Sequence, residues 1–155
     1  MSRFENLRLD NQLCFSLYAA TQAITRGYRS RLSAVGLTYP QYLVLLVMWE
    51  VGEATVKGLA DSLRLDSATL TPLLKRMEKA GLVTRTRDTT DQRVVNIALT
   101  DRAREIESNV AAIQKQVACS TGMDERCFRD LQDSLRELIR ALDEDARHRG
   151  EEPVS

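Results

Sequence analysis

The stretch from Asp66 to Gly81, DSATLTPLLKRMEKAG, decides how the rest of the chain is read. Taken as a helix, Leu70, Leu73, Leu74 and Met77 fall at i, i+3, i+4 and i+7, one apolar stripe for a core. Ala68, Thr71, Pro72, Lys75, Arg76 and Lys79 occupy the opposite side, and Ser67 and Thr69 add hydroxyls near its start. Asp66 or Ser67 supplies an N-cap, and Gly81 sits where a left-handed C′ residue belongs. Short side chains let such a helix approach base edges in a DNA major groove, while its cations meet phosphates. An ordinary amphipathic helix with a solvated basic face has the same pattern, so the helix alone does not choose.

The flanking segments do. LVTRTR, from Leu82 to Arg87, alternates as a strand does, DTTDQ from Asp88 to Gln92 is turn-like, and RVVNIAL from Arg93 to Leu99 reads as a returning strand. Upstream, Thr55 to Leu63 is a further short helix. Helix, turn, helix, then a hairpin with arginines near its tip is the order of a winged helix-turn-helix. Arg85, Arg87 and Arg93 are placed to reach backbone phosphate or an adjacent minor groove. Asp91, two residues before Arg93, is positioned to orient its guanidinium as a bidentate pair. The expected fold is mainly α with a small β-hairpin wing, and the expected partner is double-stranded DNA.

Charge and composition agree with a local DNA-binding patch. The 155 residues hold 22 Lys and Arg against 22 Asp and Glu, so no global attraction for polyanions exists. From Asp66 to Arg93, however, Lys75, Arg76, Lys79, Arg85, Arg87 and Arg93 outnumber Asp66, Glu78, Asp88 and Asp91. Acids gather instead near the C-terminus, in Asp143 to Asp145 and at Glu151 and Glu152. No apolar run is long enough to span a bilayer, and MSRFENLRLD lacks the apolar core of a signal peptide, so a cytoplasmic protein is expected. The three cysteines have no metal-ligand spacing, and nothing in the sequence asks for a metal or a cofactor.

Residues 1–36 read as an N-terminal dimerisation and sensor helix, with Asp10 as its N-cap and Leu13, Leu17, Ala20, Ile24, Tyr28 and Leu32 as its apolar face. Residues 37–100 form the winged domain, entered through Gly36 and Pro40, which suits a first helical position. Its helix from Gln41 to Glu50 is apolar nearly all round and reads as the buried spine, ended by Gly52. Residues 101–146 form C-terminal dimerisation helices: one from Thr100 to about Thr121, then one capped by Asp124 with Phe128, Leu131, Leu135, Leu138, Ile139 and Leu142 in register. Residues 147–155 read as a flexible polar tail. It contains the single His148, so histidine-based catalysis is not expected. So many apolar stripes exceed what a small winged core can cover. An intertwined homodimer is the natural solution, and a monomeric helical bundle is the alternative.

Cys14 lies near the start of the first helix, where unpaired N–H groups and the macrodipole favour a thiolate. Taken bare, a cysteine on an apolar face also reads as an inert packed residue. LDNQLCFSLY, LTYPQYLVLLVMWE and LDSATLTPLLKRMEKAGLVTRTRDTTDQR together resemble the MarR family of winged-helix regulators, and within it the organic hydroperoxide sensors of the OhrR branch, over about Leu9 to Leu142. The resemblance implies a non-enzymatic repressor of the bacterial cytoplasm, with Cys14 as the peroxidatic sensor. It implies that Tyr18, Tyr28 and Tyr39 hydrogen-bond that sulfur, one of them from the other subunit. It also implies, for the two-cysteine branch, a resolving thiol at Cys119 that forms an intersubunit disulfide, with Cys127 as the alternative. Two other functions are compatible with parts of the sequence: a MarR-type repressor sensing a small aromatic ligand, and, more remotely, a thiol peroxidase using Cys14 and Cys119.

Overall fold

The computed structural model describes residues 4–150. Two 3-10 turns, Glu5–Leu7 and Leu9–Asn11, lead into α1 (Leu13–Ser33) and α2 (Tyr39–Val51). Then follow β1 (Glu53–Thr55), α3 (Val56–Leu63), α4 (Ser67–Lys79), β2 (Val83–Arg87) and β3 (Val95–Leu99). The C-terminal part is α5 (Asp101–Glu105), α6 (Glu107–Ser120) and α7 (Glu125–His148). The chain is mainly helical with a winged helix-turn-helix at its centre.

The four stripe residues of α4, Leu70, Leu73, Leu74 and Met77, are all buried. They join Leu45, Met48, Leu59, Val83 and Ile97 in one core cluster, to which α1 adds Tyr28 and Leu32 and α6 adds Val110, Ile113 and Val117. Each such aliphatic side chain, fully withdrawn from water, stabilises the fold by about 1.5–3 kcal/mol. Helix α2 crosses the middle of this cluster and buries Tyr42, Val44, Leu45 and Met48. Its entry is a capping box in which the Thr38 N–H donates to the Gln41 side-chain oxygen at 2.9 Å. Pro40 occupies the second helical position rather than the first, because Thr38, not Tyr39, is the cap.

The wing is not a lone hairpin. β1 pairs with β3 (Glu53 opposite Ala98, Thr55 opposite Asn96), giving a three-stranded antiparallel sheet of order β1-β3-β2. β2 pairs with β3 from Val83 opposite Leu99 to Arg87 opposite Val95. The helix expected from Thr100 to Thr121 is divided at Ile106 into α5 and α6. Asp10 does not cap α1: it lies in the second 3-10 turn, and the helix opens at Gln12. The side-chain amides of Asn11 and Gln12 are committed to preceding carbonyls, Glu5 and Arg8 among them, and these bonds hold the turns. The expected flexible tail starts too early. α7 runs to His148, whose Nδ1 meets the Glu144 carbonyl at 2.7 Å, and residues 151–155 lie outside the described residues.

Candidate functional site

Two sets of side chains carry chemistry, one around α4 and the wing, the other at the two ends of α1. At the first, Asp66 caps α4 by accepting from the Thr69 N–H and, at 3.0 Å, from the Thr69 hydroxyl. Those bonds hold its carboxyl below the ordinary carboxylate range. The C-terminus of α4 is clamped as firmly. Gly81 takes φ +71°, the Arg102 guanidinium donates to the Ala80 carbonyl at 2.9 Å, and the Thr100 hydroxyl donates to the Gly81 carbonyl at 2.7 Å. A helix fixed at both ends presents Ser67, Ala68, Thr69, Pro72, Lys75 and Arg76 to solvent, with Thr71 half-buried and donating to the Ser67 carbonyl at 2.7 Å. These are the α4 residues expected from the sequence to face DNA.

The three wing arginines have three different fates. Arg93 stands at the wing with a side chain 93% exposed; only its Nε approaches Asp91, at 3.4 Å. The bidentate Asp91–Arg93 pair expected from the sequence is therefore not formed. Asp91 instead accepts the Arg93 backbone N–H at 3.0 Å, which fixes the turn and leaves the guanidinium outward. Arg87 donates to the Gln92 carbonyl at 3.4 Å across the same turn. Arg85 is not at the tip at all. Its side chain is only 18% exposed, it meets Glu78 of α4 at 3.5 Å, and its Nε is buried without a hydrogen-bond partner among protein atoms. Strand alternation accounts for this, since Arg85 shares a face with buried Val83.

Between α4, the start of α3 and the wing runs a groove of about 460 Å³ lined by Thr55, Lys57, Ser67, Thr71, Arg85 and Arg93, among others. Lys57 and Thr55 belong to this surface and were not read from the sequence. Their signal was their position at the start of α3, whose N-cap is Thr55. Three cations and three hydroxyls around a concave surface make an arrangement suited to a phosphate backbone. Asp88 braces the wing from behind: it accepts from the Thr90 hydroxyl at 2.6 Å, the Thr90 N–H at 2.8 Å and the Asp91 N–H at 3.1 Å. These bonds, the Thr90 hydroxyl foremost, hold its carboxyl at about 2.

At the second set, Cys14 is the second residue of α1 and is exposed. Tyr18, one turn on, is 61% exposed. Tyr28 is buried near the other end of the helix, roughly 21 Å from Cys14 at about 1.5 Å per residue. There it meets Tyr39, at the start of α2, with ring centroids 5.4 Å apart, and Tyr42 at 4.9 Å. The structure thus brings Tyr28 and Tyr39 together and leaves Cys14 and Tyr18 apart from them within one chain. Tyr42 completes the cluster, although its sequence pattern placed it only in the apolar spine. Burial, then the neighbouring Tyr28, keeps the Tyr39 phenol above its ordinary pKa.

Cys119 lies in the last turn of α6 and Cys127 in the first turn of α7, where its N–H donates to Asp124 at 2.8 Å. Both are exposed. α1 meets α6 where Gly27 faces Val117. Cys14 is therefore separated from Cys119 of its own chain by more than about 10 Å, beyond the span of a disulfide.

The helix pair α3–α4 and the three-stranded wing define a winged helix-turn-helix transcriptional regulator. Among such proteins the chain belongs to the MarR family, whose model matches residues 37–95. It is 40% identical over 148 residues to the organic hydroperoxide resistance transcriptional regulator of Bacillus subtilis (strain 168), covering 91% of this chain and 96% of that protein. It is 51% identical over 132 residues to the HTH-type transcriptional regulator TtmR of Methylorubrum extorquens (strain PA1), covering 84% of this chain and 67% of that one. In three dimensions it is similar to reduced AbfR bound to DNA, with a TM-score of 0.69 and 38% identity over 86% of this chain and 96% of that one; AbfR is from Staphylococcus epidermidis. Among the described residues, no helix is long and apolar enough to cross a membrane.

Proposed function

We propose that the chain is a repressor that binds operator DNA as a homodimer and is released when an organic hydroperoxide oxidises Cys14. The observation that carries this reading is the setting of Cys14: an exposed thiol in the first turn of a helix, on a surface that also exposes Leu9, Leu13, Phe15 and Tyr18. Such a surface favours an oxidant with an organic group. Similarity to a regulator of organic hydroperoxide resistance along nine-tenths of the chain supports the same choice.

The dimer follows from α7. Leu131, Ile139 and Leu142 of its apolar stripe are exposed, and the helix has no buried residue. A second copy covers this stripe together with the exposed start of α1, and so brings Tyr28 and Tyr39 of the partner subunit towards Cys14. Two copies of α4 then face successive major grooves of one pseudo-palindromic site, with Ser67, Ala68, Thr69, Thr71 and Pro72 near base edges. Lys75, Arg76, Arg87 and Arg93 lie on phosphates, Arg85 lines the groove behind them, and Asp91 sets the wing turn.

The chemistry balances with hydroperoxide as the oxidant. The Cys14 thiolate attacks the outer peroxide oxygen, the O–O bond breaks, and the alkoxide takes a proton and leaves as alcohol, giving a sulfenic acid. The thiolate of Cys119 of the partner subunit then attacks the sulfenic sulfur; an S–S bond forms, the S–O bond breaks, and the leaving hydroxide takes a proton from solvent to depart as water. Because a disulfide tolerates only about 4.4–6.8 Å between Cα atoms, the start of α1 and the end of α6 must be drawn together. The two winged domains move with those helices, and their spacing on DNA is lost. Cys127 is the other exposed thiol near that junction and is the alternative resolving residue.

A titration of operator DNA with the purified protein, before and after stoichiometric organic hydroperoxide, tests the reading, with a non-reducing gel on the same samples. Loss of binding with a thiol-reversible dimer band supports it. Binding that survives full oxidation of Cys14 overturns it and leaves a repressor that senses a small aromatic ligand. A cavity of about 320 Å³ lined by Leu46, Trp49, Val110 and Gln114 favours that second reading.

A further inference from the structure

We propose that Tyr42, which lies outside the expected set of thiol-binding tyrosines, is a positioning residue that aims the Tyr28 hydroxyl at Cys14 of the partner subunit. The inference rests on the proposed sensor function. Its ground is the geometry of the buried cluster. The Tyr42 ring stacks on Tyr28 with centroids 4.9 Å apart and planes at 28°, and lies 5.8 Å from Tyr39. The Tyr42 hydroxyl donates to the Tyr28 hydroxyl at 3.4 Å. Both rings are buried, so their orientation is set by each other and by the core, not by solvent.

A phenol has one proton to give. Since Tyr28 accepts from Tyr42, its own proton is left for a different acceptor. Hydrogen bonds in a chain polarise one another, so a phenol that accepts is a stronger donor to the next group. At 3.4 Å the Tyr42 bond is long for O–H···O, and its main effect is to select the orientation of the Tyr28 hydroxyl. Burial, and then the bond to Tyr28, raises the pKa of the Tyr42 hydroxyl far above the ordinary range. Tyr42 therefore stays a protonated donor while the acceptor at the end of the chain is an anion. Stabilising the anion by a donated hydrogen bond lowers the pH at which the thiolate forms.

The test uses the full-length dimer in a Cys119→Ser, Cys127→Ser background, so that alkylation by iodoacetamide reports Cys14 alone. Rates are measured against pH for the parent, Tyr42→Phe and Tyr28→Phe, together with melting temperature and DNA binding of the reduced form. Tyr42→Phe keeps the stacked ring and should fold and bind DNA as the parent does. Its alkylation profile should move to higher pH, and its oxidation by tert-butyl hydroperoxide at pH 7 should slow by roughly threefold, with a larger effect for Tyr28→Phe. 3-Fluorotyrosine at position 42, of the same shape but a stronger donor, should move the profile to lower pH, which a packing role would not do. If Tyr28→Phe shifts the profile while Tyr42→Phe and the fluorinated residue superimpose on the parent, Tyr42 has no positioning role and the inference is overturned. If Tyr28→Phe also superimposes, the tyrosine cluster does not serve the thiol, and the sensor-site reading falls with it.

Discussion

Arg85 and Arg93 are eight residues apart on one hairpin, yet burial assigns them opposite work. The Arg93 guanidinium is solvated apart from a single long contact to Asp91. Arg93→Ala should therefore leave the melting temperature unchanged, weaken operator binding, and lower the slope of log affinity against log salt by about 1, as expected for one lost phosphate contact. Arg85 is wedged between β2 and Glu78 of α4. Arg85→Ala should cost about 1 kcal/mol of stability through lost packing of its aliphatic stem, measured by thermal unfolding. An equal melting temperature for both variants would show that the two arginines are not divided in this way. Asp88 gives a third expectation at this scale. Its folded-state carboxyl, at about 2, lies below its ordinary value of 3.8, so its contribution to the wing is full above the ordinary value and is lost as pH falls towards the folded one. The protection of the Thr90 and Asp91 amides, as exchange rate relative to the intrinsic rate at the same pH, should hold down to about pH 4 and fall below it, and Asp88→Asn should remove it at neutral pH. Arg85 was expected with Arg87 and Arg93 to reach DNA; it shares a strand face with buried Val83 and turns inward, whereas Arg87, on the same face but one pair nearer the tip, stays exposed. The weak Asp91–Arg93 contact was not legible in the sequence, because a spacing of two residues says nothing of whether a guanidinium turns inward.

At the scale of elements, α4 was legible throughout. Its stripe, its cap and its C′ glycine are local facts about residues three or four apart, and all of them are realised. Gly81 marks the limit of what the helix tolerates. Any side chain there must adopt a left-handed conformation, so Gly81→Ala should destabilise the protein by about 1–2 kcal/mol, read as a lower denaturant midpoint at unchanged slope. A Cβ would meet the Arg102 guanidinium at 3.9 Å, ordinary contact, so the strain would lie in the backbone and not in a clash. A neutral substitution would mean that the last turn of α4 relaxes freely despite the Thr100 and Arg102 clamps. β1 was not legible for the opposite reason. Its residues Glu53, Ala54 and Thr55 carry no alternation, and they are extended because β3 offers them partners. Tyr42 was legible as a buried residue but not as a member of a cluster. Its meeting with Tyr28 depends on how α1 packs on α2, which no local pattern encodes. Cys14 is the intermediate case: its place in the first turn followed from helix periodicity, whereas its distance from Tyr28 follows from both lying on the same straight helix.

In the proposed sensor, a change at one end of α1 has to reach α4 across the whole molecule. α7 has no residue in the core, but it is tied to the reading head by one fork. Arg64 donates to both oxygens of Asp143, at 3.1 Å and 2.8 Å. Arg64 occupies the turn between α3 and α4 and is the one non-glycine residue of positive φ among the described residues, at 53°. The pair therefore joins the turn of the helix-turn-helix directly to the helix whose apolar stripe is exposed. An exposed ion pair adds little to stability, so its removal should hardly move the melting temperature. Its effect should appear in DNA binding, because the orientation of α4 relative to α7 sets the spacing of the two half-sites in a dimer. Arg64→Ala and Asp143→Ala should each weaken operator binding, and the double variant should be no weaker than the worse single one. Since Arg64 lies near the reading head, a direct contact with phosphate would also weaken binding. The exchanged pair, Arg64→Asp with Asp143→Arg, separates the two. Recovery of affinity in the exchanged protein means that the tie itself matters. Additive single effects with no recovery mean that Arg64 touches DNA and that α7 positions α4 by packing across the dimer alone.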